Sequence, residues 1–434
     1  MRRSRLVSPR ALVLWLLVTS SALTLTACVK KRQPPPPPEP KSFLYVWAGD
    51  QARKSPDFLA VVNFDENTLG YGKVLTTVPL PDSGGIGNEP HHVGLSSDGK
   101  TLACGGLLSV LKGQKEIFFF DLSNPKAPKL VSEADPPQSG VADEFAPLDG
   151  GGFLVTMMGG AQGHEPGRVA EFDAGHNLVA ELPTAPPRDG FNPHGLSIRP
   201  ELNLMVSSDF ICPSTTLHAV KGDPVLRGSV RVWDFKARKI MRTVKVGKGA
   251  GTIDVRLIPN DPYGRAYTAG MADDKLYLVD TKGGTAKPVF DFASISKGGW
   301  PQLMRMTKDG QRLFVTLNTA GKVVMFDSAK PDSPQVLTVA DLGAASGPHY
   351  LALSPDEKRL IVSDYFLNED SMGKVHAEGD HKIHVFWVGA NALSPDPKWS
   401  LDFNTAIATG PARPHGMAVL QGVEAAGAGA PAQK

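Results

Sequence analysis

Four histidines occupy the same place in repeated segments of the chain. Each follows a proline and opens a short apolar stretch, in "PHHVGLSSDG", "NPHGLSIRPE", "PHYLALSPDE" and "PHGMAVLQG". The residues are His91, His194, His349 and His415, and a further imidazole, His92, follows His91 directly and would replace it if the register shifted by one. Several imidazoles converging on one point suit copper, zinc, iron or nickel, among which geometry selects. The repeated Pro-His pattern therefore predicts a transition-metal site.

Three further repeats carry other polar residues where the histidine is expected. Aligning them places Glu144 in "DEFAPLDGGG", Asp254 in "TIDVRLIPND" and Gln302 in "PQLMRMTKDG" at the histidine position. Carboxylates beside a metal can bind it, orient a histidine ring or accept a proton. We therefore expect Glu144 and Asp254 to be candidates for proton transfer, and Gln302 to be a polar residue at the mouth of a shared channel.

A simpler interpretation gives the histidines a structural role, in which Pro-His caps each strand by bonding neighbouring backbone groups. Four histidines at one repeat position favour a shared site over four separate caps. The other histidines lie in turns, insertions or an outer strand and are expected to be solvated or locally bonded: His164, His176, His218, His376, His381 and His384. The chain has no Walker or dinucleotide-binding loop, and no pair of carboxylates has a spacing that identifies a glycosidase.

The elements that position these residues are short strands in seven comparable units. Each opening strand is generally followed by a second strand, such as "RLIVSD", and a third, such as "KVVMFDS". Units recur at roughly 45 to 65 residues, a period typical of propeller blades with some insertions. Four-stranded sheets arranged radially around a channel would bring the starts of the opening strands together. The sequence thus predicts an all-β, seven-bladed β-propeller.

The two ends of the propeller segment complement each other. Three strands, "FLYVWAG", "DFLAVVNFD" and "YGKVLTTVPL", precede the first opening strand, and "HGMAVL" supplies a lone opening strand at the end. Joining them in one composite blade would remove two exposed sheet edges. We therefore assign residues 42–421 to a closed propeller.

The N-terminus has the pattern of a bacterial lipoprotein signal. A basic start, an apolar run and small residues precede Cys28 in "LTAC", which has the form of a lipobox. Residues 1–27 are expected to be cleaved, leaving Cys28 to carry the lipid and residues 28–41, with five consecutive prolines, as a linker. Residues 422–434 are predicted to be a disordered tail. The expected location is the cell envelope, on the periplasmic or cell-surface side of a bacterial membrane.

Composition excludes some classes of partner. The formal net charge is only +2 and the basic residues are scattered, so nucleic acid is not an expected partner. With Cys28 assigned to the lipid, two further cysteines remain, Cys104 and Cys212, which lie in separate repeats. Buried free thiols are favoured for this pair, with a disulfide or a redox or metal role as alternatives.

Several longer stretches resemble the selenium-binding protein/methanethiol oxidase family. They are "SPDFLAVVNFDENTLGYGKVLTTVPLPDSGGIGNEPHHVG", "IFFFDLSNPKAPKLV", "LNLMVSSDFICPSTT", "GSVRVWDFKARKIMRTVKVG" and "IDVRLIPNDP", in the order of that family. The resemblance runs from about Pro56 to His415. It implies a seven-bladed propeller and, for the bacterial enzymes, copper-dependent oxidation of methanethiol to formaldehyde, sulfide and hydrogen peroxide.

The resemblance does not extend equally to all of the candidate site residues. His91, His92 and His415 match family histidines, whereas many relatives have other polar residues in place of His194 and His349. Many relatives also carry a Cys-Ser-Ser-Cys cluster soon after the paired histidines, where this chain reads "VGLSSDGKTLACGG". Selenium binding through such cysteines is therefore not implied here. The lipoprotein signal is likewise not a general feature of the family.

The leading hypothesis is a lipid-anchored metalloprotein with copper, or another transition metal, at a histidine-lined channel mouth. Its partners would be a small thiol or another sulfur- or selenium-containing substrate and, through the lipid, the membrane. Two alternatives stay open, a lactonase-type propeller hydrolase and a non-catalytic binding scaffold, because propellers host many unrelated functions.

Overall fold

Seven antiparallel sheets form the body of the protein in a computed structural model that describes residues 38–81, 83–216, 224–365 and 379–422. Cys28, His218 and His376 lie outside the described residues, as do the predicted signal peptide and all but the ends of the predicted linker and tail. None of the helices in the described ranges is long and apolar enough to span a bilayer.

Six of the sheets, blades 1 to 6, are built from consecutive strands. Blade 1 contains β4 (Pro90–Leu95), β5 (Thr101–Gly106), β6 (Ile117–Asp121) and β7 (Lys129–Ala134). Blade 2 contains β8 (Ser139–Pro147), β9 (Phe153–Gly160), β10 (Arg168–Phe172) and β11 (Leu178–Leu182). Blade 3 contains β12 (Pro193–Arg199), β13 (Leu204–Ile211), β14 (Leu226–Asp234) and β15 (Lys239–Lys245).

The next three blades repeat this order. Blade 4 contains β16 (Thr252–Leu257), β17 (Ala266–Gly270), β18 (Lys275–Asp280) and β19 (Thr285–Asp291). Blade 5 contains β20 (Pro301–Met306), β21 (Arg312–Leu317), β22 (Lys322–Asp327) and β23 (Gln335–Asp341). Blade 6 contains β24 (Pro348–Leu353), β25 (Arg359–Asp364) and β26 (Lys382–Val388), which pairs with both β27 (Leu393–Pro395) and β28 (Leu401–Asp402). Helical structure is limited to α1 (Ser109–Lys112) and 3₁₀ turns at Ser83–Gly85, Pro200–Leu202, Pro213–Thr215 and Phe292–Ser294 among the described residues.

The seventh sheet joins the two ends of the chain. β1 (Ser42–Asp50), β2 (Phe58–Asn63) and β3 (Val74–Pro79) are completed by β29 (Ala412–Gln421), which pairs antiparallel with β1 from Ser42–Gln421 to Asp50–Ala412. The opening strands of neighbouring blades contact one another in a closed circle that returns from β29 to β4. The predicted seven-bladed propeller and its composite blade are therefore confirmed.

Burial follows the radial position of each strand. The second strands, such as β9, are almost continuously buried, because blades cover both of their faces. Outer strands such as β3 and β7 alternate between exposed and partly buried residues, as expected of strands with one face in water. The core therefore lies between blades, and it holds the opening strands rigidly around the centre.

Three of the turns after the opening strands share a side-chain hydrogen bond from Ser or Thr to the Asp two residues later. In blade 1 the Ser96 hydroxyl donates to Asp98 Oδ1 (2.7 Å), and Gly99 adopts a φ of 71°. Such side-chain bonds and a left-handed residue are what a tight turn requires. The same bonds join Thr307 to Asp309 and Ser354 to Asp356.

Candidate metal centre

A β-bulge near the start of each opening strand positions the site. In β4, Pro90 pairs with Gly106 and Val93 with Cys104, so three steps along β4 match two along its partner. A bulge re-aims side chains that would otherwise alternate between faces. His91 and His92 lie in this bulge, buried and stacked, with ring centroids 4.3 Å apart and an interplanar angle of 4°.

Equivalent bulges in the other opening strands set the true alignment. Level with His91 are Asp143, His194, Ile253, Gln302, His349 and His415. Level with His92 are Glu144, Gly195, Asp254, Leu303, Tyr350 and Gly416. The structure corrects the sequence alignment by one residue in two blades, where Asp143 and Ile253 replace Glu144 and Asp254 at the histidine position.

The structure brings all five predicted histidines together. The His91 ring centroid lies 4.4 Å from that of His415, the His349 and His415 centroids are 5.0 Å apart, and those of His92 and His194 are 5.4 Å apart. Two overlapping groups have ligand atoms that all lie within 4.8 Å of one another: His91, His92, His349 and His415, and His91, His92, Asp143 and His194. Every member of both groups is buried.

Asp143 is the acidic residue at the centre of the cluster. Its Oδ1 lies 2.7 Å from His92 Nδ1, and its Oδ2 lies 3.1 Å from His194 Nε2 and 3.6 Å from His91 Nε2. The His92 contact is an ion pair rather than a hydrogen bond of ideal geometry. Burial disfavours the carboxylate, but attraction to the three imidazoles outweighs burial and holds the pKa of Asp143 well below its ordinary value.

The imidazoles divide into one cationic ring and several neutral ones. Burial alone would lower the pKa of His92, but Asp143 and Glu144 overcome that effect and raise it to about 9. Burial lowers the pKa of His194 to about 3. Burial and repulsion between the rings also hold the pKa values of His349 and His415 well below normal. Neutral imidazoles are the form that binds metal ions.

Gln302 orients one of these rings. Its side-chain oxygen accepts a hydrogen bond from His349 Nδ1, which leaves the lone pair of His349 Nε2 directed at His92 Nε2, 3.3 Å away. Two arrangements satisfy that contact, a shared proton or a cation bound by both nitrogens. Two nitrogens bound about 2.0–2.1 Å from one tetrahedral ion would be separated by about 3.3 Å, so the observed spacing fits a metal.

Unsatisfied ring nitrogens also fit a metal. Among the described residues, His91 Nδ1, His194 Nδ1 and both nitrogens of His415 have no hydrogen bond of normal geometry, although the Pro90 carbonyl lies near His415. Buried polar atoms are normally satisfied, so such a group of them calls for an explanation. A donor set of imidazoles and one carboxylate suits copper, zinc, iron or nickel, as predicted.

Glu144 and Asp254 lie beside the histidines but in an arginine-centred ion-pair group. Arg256 Nη1 is 2.8 Å from Glu144 Oε1, and Arg256 Nε is 3.1 Å from Asp254 Oδ2, which also accepts the Met304 N–H. Burial opposes ionisation of Glu144, but Arg256 and Arg305 together lower its pKa below the ordinary value. Arg256 therefore fixes both carboxylates beside the histidines, and their role in proton transfer stays a prediction.

A cavity connects this cluster to the surface. It is narrow, and its wall includes Glu89, Asp364, Tyr365, His381, Arg413 and His415. His415 is thus the histidine of the cluster that faces the cavity. A ligand entering here would meet His415 first.

The family model of the 56 kDa selenium-binding protein (SBP56) matches residues 35–286, which is more than half of the chain. The chain belongs to this family. The resemblance noted in the sequence is thereby confirmed.

The relatives of this chain described here have low sequence identity to it. A methanethiol oxidase from Hyphomicrobium sp is 26% identical over 397 residues, covering 84% of this chain and 84% of that protein. A methanethiol oxidase from Homo sapiens is 22% identical over 374 residues, covering 71% of this chain and 77% of its own length. A hypothetical selenium-binding protein from Sulfolobus tokodaii superposes with a TM-score of 0.74 at 18% identity, over 89% of this chain and 95% of that one, which shows the shared fold.

Within the described part of this SBP56 family member, Cys104 and Cys212 belong to neither metal group. Cys104 and Cys212 are both free and buried, as the favoured interpretation predicted. Burial raises the pKa of the Cys104 thiol well above normal, so the thiolate is suppressed.

Sequence reasoning missed Asp143 and Tyr365. The signal for Asp143 was available in the adjacent pair His91–His92, because two successive residues that both reach the centre imply a bulge in every repeat. Tyr365 gave no such signal, since it follows β25 outside the repeated Pro-His position.

Proposed function

We propose that this protein binds copper at the buried histidine–aspartate cluster and oxidises a small thiol, with methanethiol as the simplest substrate. The observation that carries the proposal is the concentration of five imidazoles and one carboxylate in two overlapping groups, with ligand atoms within 4.8 Å. Relatives called methanethiol oxidase support the choice of an oxidation and of this substrate. A metal ion bound here would act in the same way on another small sulfur or selenium compound as substrate.

The ligands that we assign are His91, His92, His349 and His415. This group contains His415, which faces the cavity, and the His92–His349 pair, whose Nε2 atoms are 3.3 Å apart. His194 is assigned instead to Asp143, because its Nε2 lies 3.1 Å from the Asp143 carboxylate.

Bound copper would supply a Lewis acid that lowers the thiol pKa and a redox centre that accepts its electrons. The chain orients the ligands, since Asp143 holds the His92 ring through Nδ1 and Gln302 holds the His349 ring through Nδ1. Metal binding has to displace the proton from His92, whose pKa is about 9. The overall reaction takes one methanethiol, one dioxygen and one water to one formaldehyde, one hydrogen sulfide and one hydrogen peroxide.

Metal analysis and product detection test this proposal directly. Tag-free protein from copper-replete cells should contain copper, consume methanethiol and release sulfide and peroxide, and a chelator should abolish the reaction. Copper-free protein under these conditions, or hydrolysis of a sugar lactone by metal-free protein, would contradict it.

We further propose that the protein is a lipoprotein of the bacterial cell envelope, on the periplasmic or cell-surface side. The "LTAC" sequence ending at Cys28 supports this. Cys28→Ser should release the protein from the membrane fraction. Equal membrane retention of both forms would rule out lipid attachment at Cys28.

A further inference from the structure

Two tyrosines pack against the histidine cluster, and they differ in one respect. The Tyr350 ring lies 5.1 Å from His92, and its hydroxyl donates to the Val93 carbonyl (3.0 Å). The Tyr365 ring lies 4.1 Å from His415, but its buried hydroxyl has no partner among the described residues. Burying a hydroxyl without a hydrogen-bond partner costs free energy. Tyr365 therefore lacks the hydrogen-bond partner that Tyr350 has.

The position of Tyr365 in the cavity wall indicates where that partner would be. Arg413, in the same wall, donates through Nη2 to Glu89 Oε2 (2.6 Å), which Arg53 also contacts (2.7 Å). The Nε–H of Arg413 is buried and has no partner in the described part of the chain. Tyr365 and Arg413 thus line the same cavity as Glu89, beside His415.

The positive charge of Arg413 makes its Nε–H a strong donor for an anion. Arg53 and Arg413 both contact the Glu89 carboxylate, and the charges of Asp50 and Asp57 also act on Arg413. Asp364 also lines the cavity, and burial raises its pKa well above normal, which favours its neutral form. Hydrogen bonds from charged donors to an anion are stronger than those between neutral groups.

We propose that the Tyr365 hydroxyl and the Arg413 Nε–H together bind the thiolate of a small substrate at the His415 end of the cavity. This inference deepens the proposed function and rests on it, because it places the sulfur beside an assigned metal ligand. In this arrangement Tyr365 and Arg413 are substrate-positioning residues, which stabilise the anionic form of the thiol by hydrogen bonding.

Binding of thiocyanate, a small sulfur-containing anion, provides a test that is independent of turnover. The full-length chain would be titrated calorimetrically, both as purified and after chelator treatment. Wild type should bind thiocyanate in both forms, and Tyr365→Phe should bind it about tenfold more weakly or worse, as expected for loss of a hydrogen bond to a charged group. Arg413→Lys should also weaken binding, since lysine keeps the charge but lacks the Nε–H.

The matched control is Tyr350→Phe, which removes an equivalent hydroxyl that faces a backbone carbonyl instead of the cavity. Its thiocyanate affinity should equal that of wild type.

Metal content separates this inference from the proposed function: Tyr365→Phe should retain wild-type copper. Wild type that is purified from copper-replete cells without copper, but binds thiocyanate through Tyr365, would refute the copper proposal alone. Wild type that does not bind thiocyanate, or Tyr365→Phe that binds it equally well, would overturn the inference.

Discussion

Asp143 acts on the site through the rings that it holds. A carboxylate that pairs with the distal nitrogen of a histidine fixes the ring orientation and increases its basicity as a ligand. Asp143 does this for His92 at 2.7 Å and contacts His194 at 3.1 Å, with no exposed surface of its own. In the proposed site, one buried carboxylate therefore supports His92 as a ligand and holds His194 as its own partner.

This division predicts unequal effects of two similar substitutions. His349→Ala removes an assigned ligand, so copper affinity should fall by at least about 100-fold. His194→Ala removes a partner of Asp143, for which a loss of about 10- to 100-fold is typical. Copper affinity is measured by competition with a chelator, and melting temperature is recorded for each variant.

His384→Ala is the control, because this histidine bonds to Asp380 in blade 6 and belongs to neither metal group. It should retain wild-type copper affinity. A larger loss in His194→Ala than in His349→Ala would show that the ligands belong to the group containing Asp143. Wild-type affinity in both variants would exclude the cluster as a copper site.

At the scale of the elements, the repeated bulge does most to build the site. It allows two successive residues of β4 and of β8 to reach the same cluster, which a regular strand with alternating faces cannot do. The site residues are also supported by contacts from Gln302 and the Arg256 ion-pair group. These groups lie in the same bulges or directly after them. The opening strand thus carries both ligands and their supports.

The same bulge explains how far sequence reasoning could go. Blade number and ring closure were predictable, because the turn pattern and alternating strands recur and the two chain ends supply complementary strands. Proline marks the residue before the site position in five opening strands: Pro90, Pro193, Pro301, Pro348 and Pro414. Ala142 and Thr252 take that place in blades 2 and 4, and without the proline a one-residue shift leaves the apolar pattern almost unchanged. The alignment was wrong in those two blades only.

Contacts between blades supply a prediction about pH. Glu116, next to β6, is buried and accepts the Val141 N–H of β8, and burial raises its pKa to about 8. An unfolded glutamate titrates near 4.3, so the folded state holds this proton more tightly, and the resulting stability is lost as pH rises through 8. Between pH 6 and 9 the loss from this group should be about 2–3 kcal/mol.

Glu116→Gln keeps an acceptor without the titration. Its free energy of unfolding, measured with denaturant, should therefore improve relative to wild type by about that amount between pH 6 and pH 9. Glu133→Gln, on the exposed side of β7 in the same blade, should leave the pH profile of wild type unchanged. Parallel profiles for wild type and Glu116→Gln would contradict the assignment.

At the scale of the whole molecule, the site exists only when the ring is closed. His91 comes from blade 1, His349 from blade 6, and His415 from the last strand in the described part of the chain. The cavity wall likewise combines Gly49 of β1 with Tyr365 and Arg413. Strand β29 therefore completes a sheet and also supplies a candidate ligand and a cavity residue.

Removing that strand should destroy the fold as well as the site. A chain that ends at Ala412 lacks nearly all of β29, including the buried residues Met417 and Val419. It would expose the paired edge of β1, and exposed edges promote association with other chains. We expect aggregation or loss of the cooperative melting transition in scanning calorimetry. A chain that ends at Gly422 keeps every residue of β29 and should melt like the full-length protein. Cooperative melting of the shorter chain at an unchanged temperature would show that the composite blade is not needed to hold the ring together.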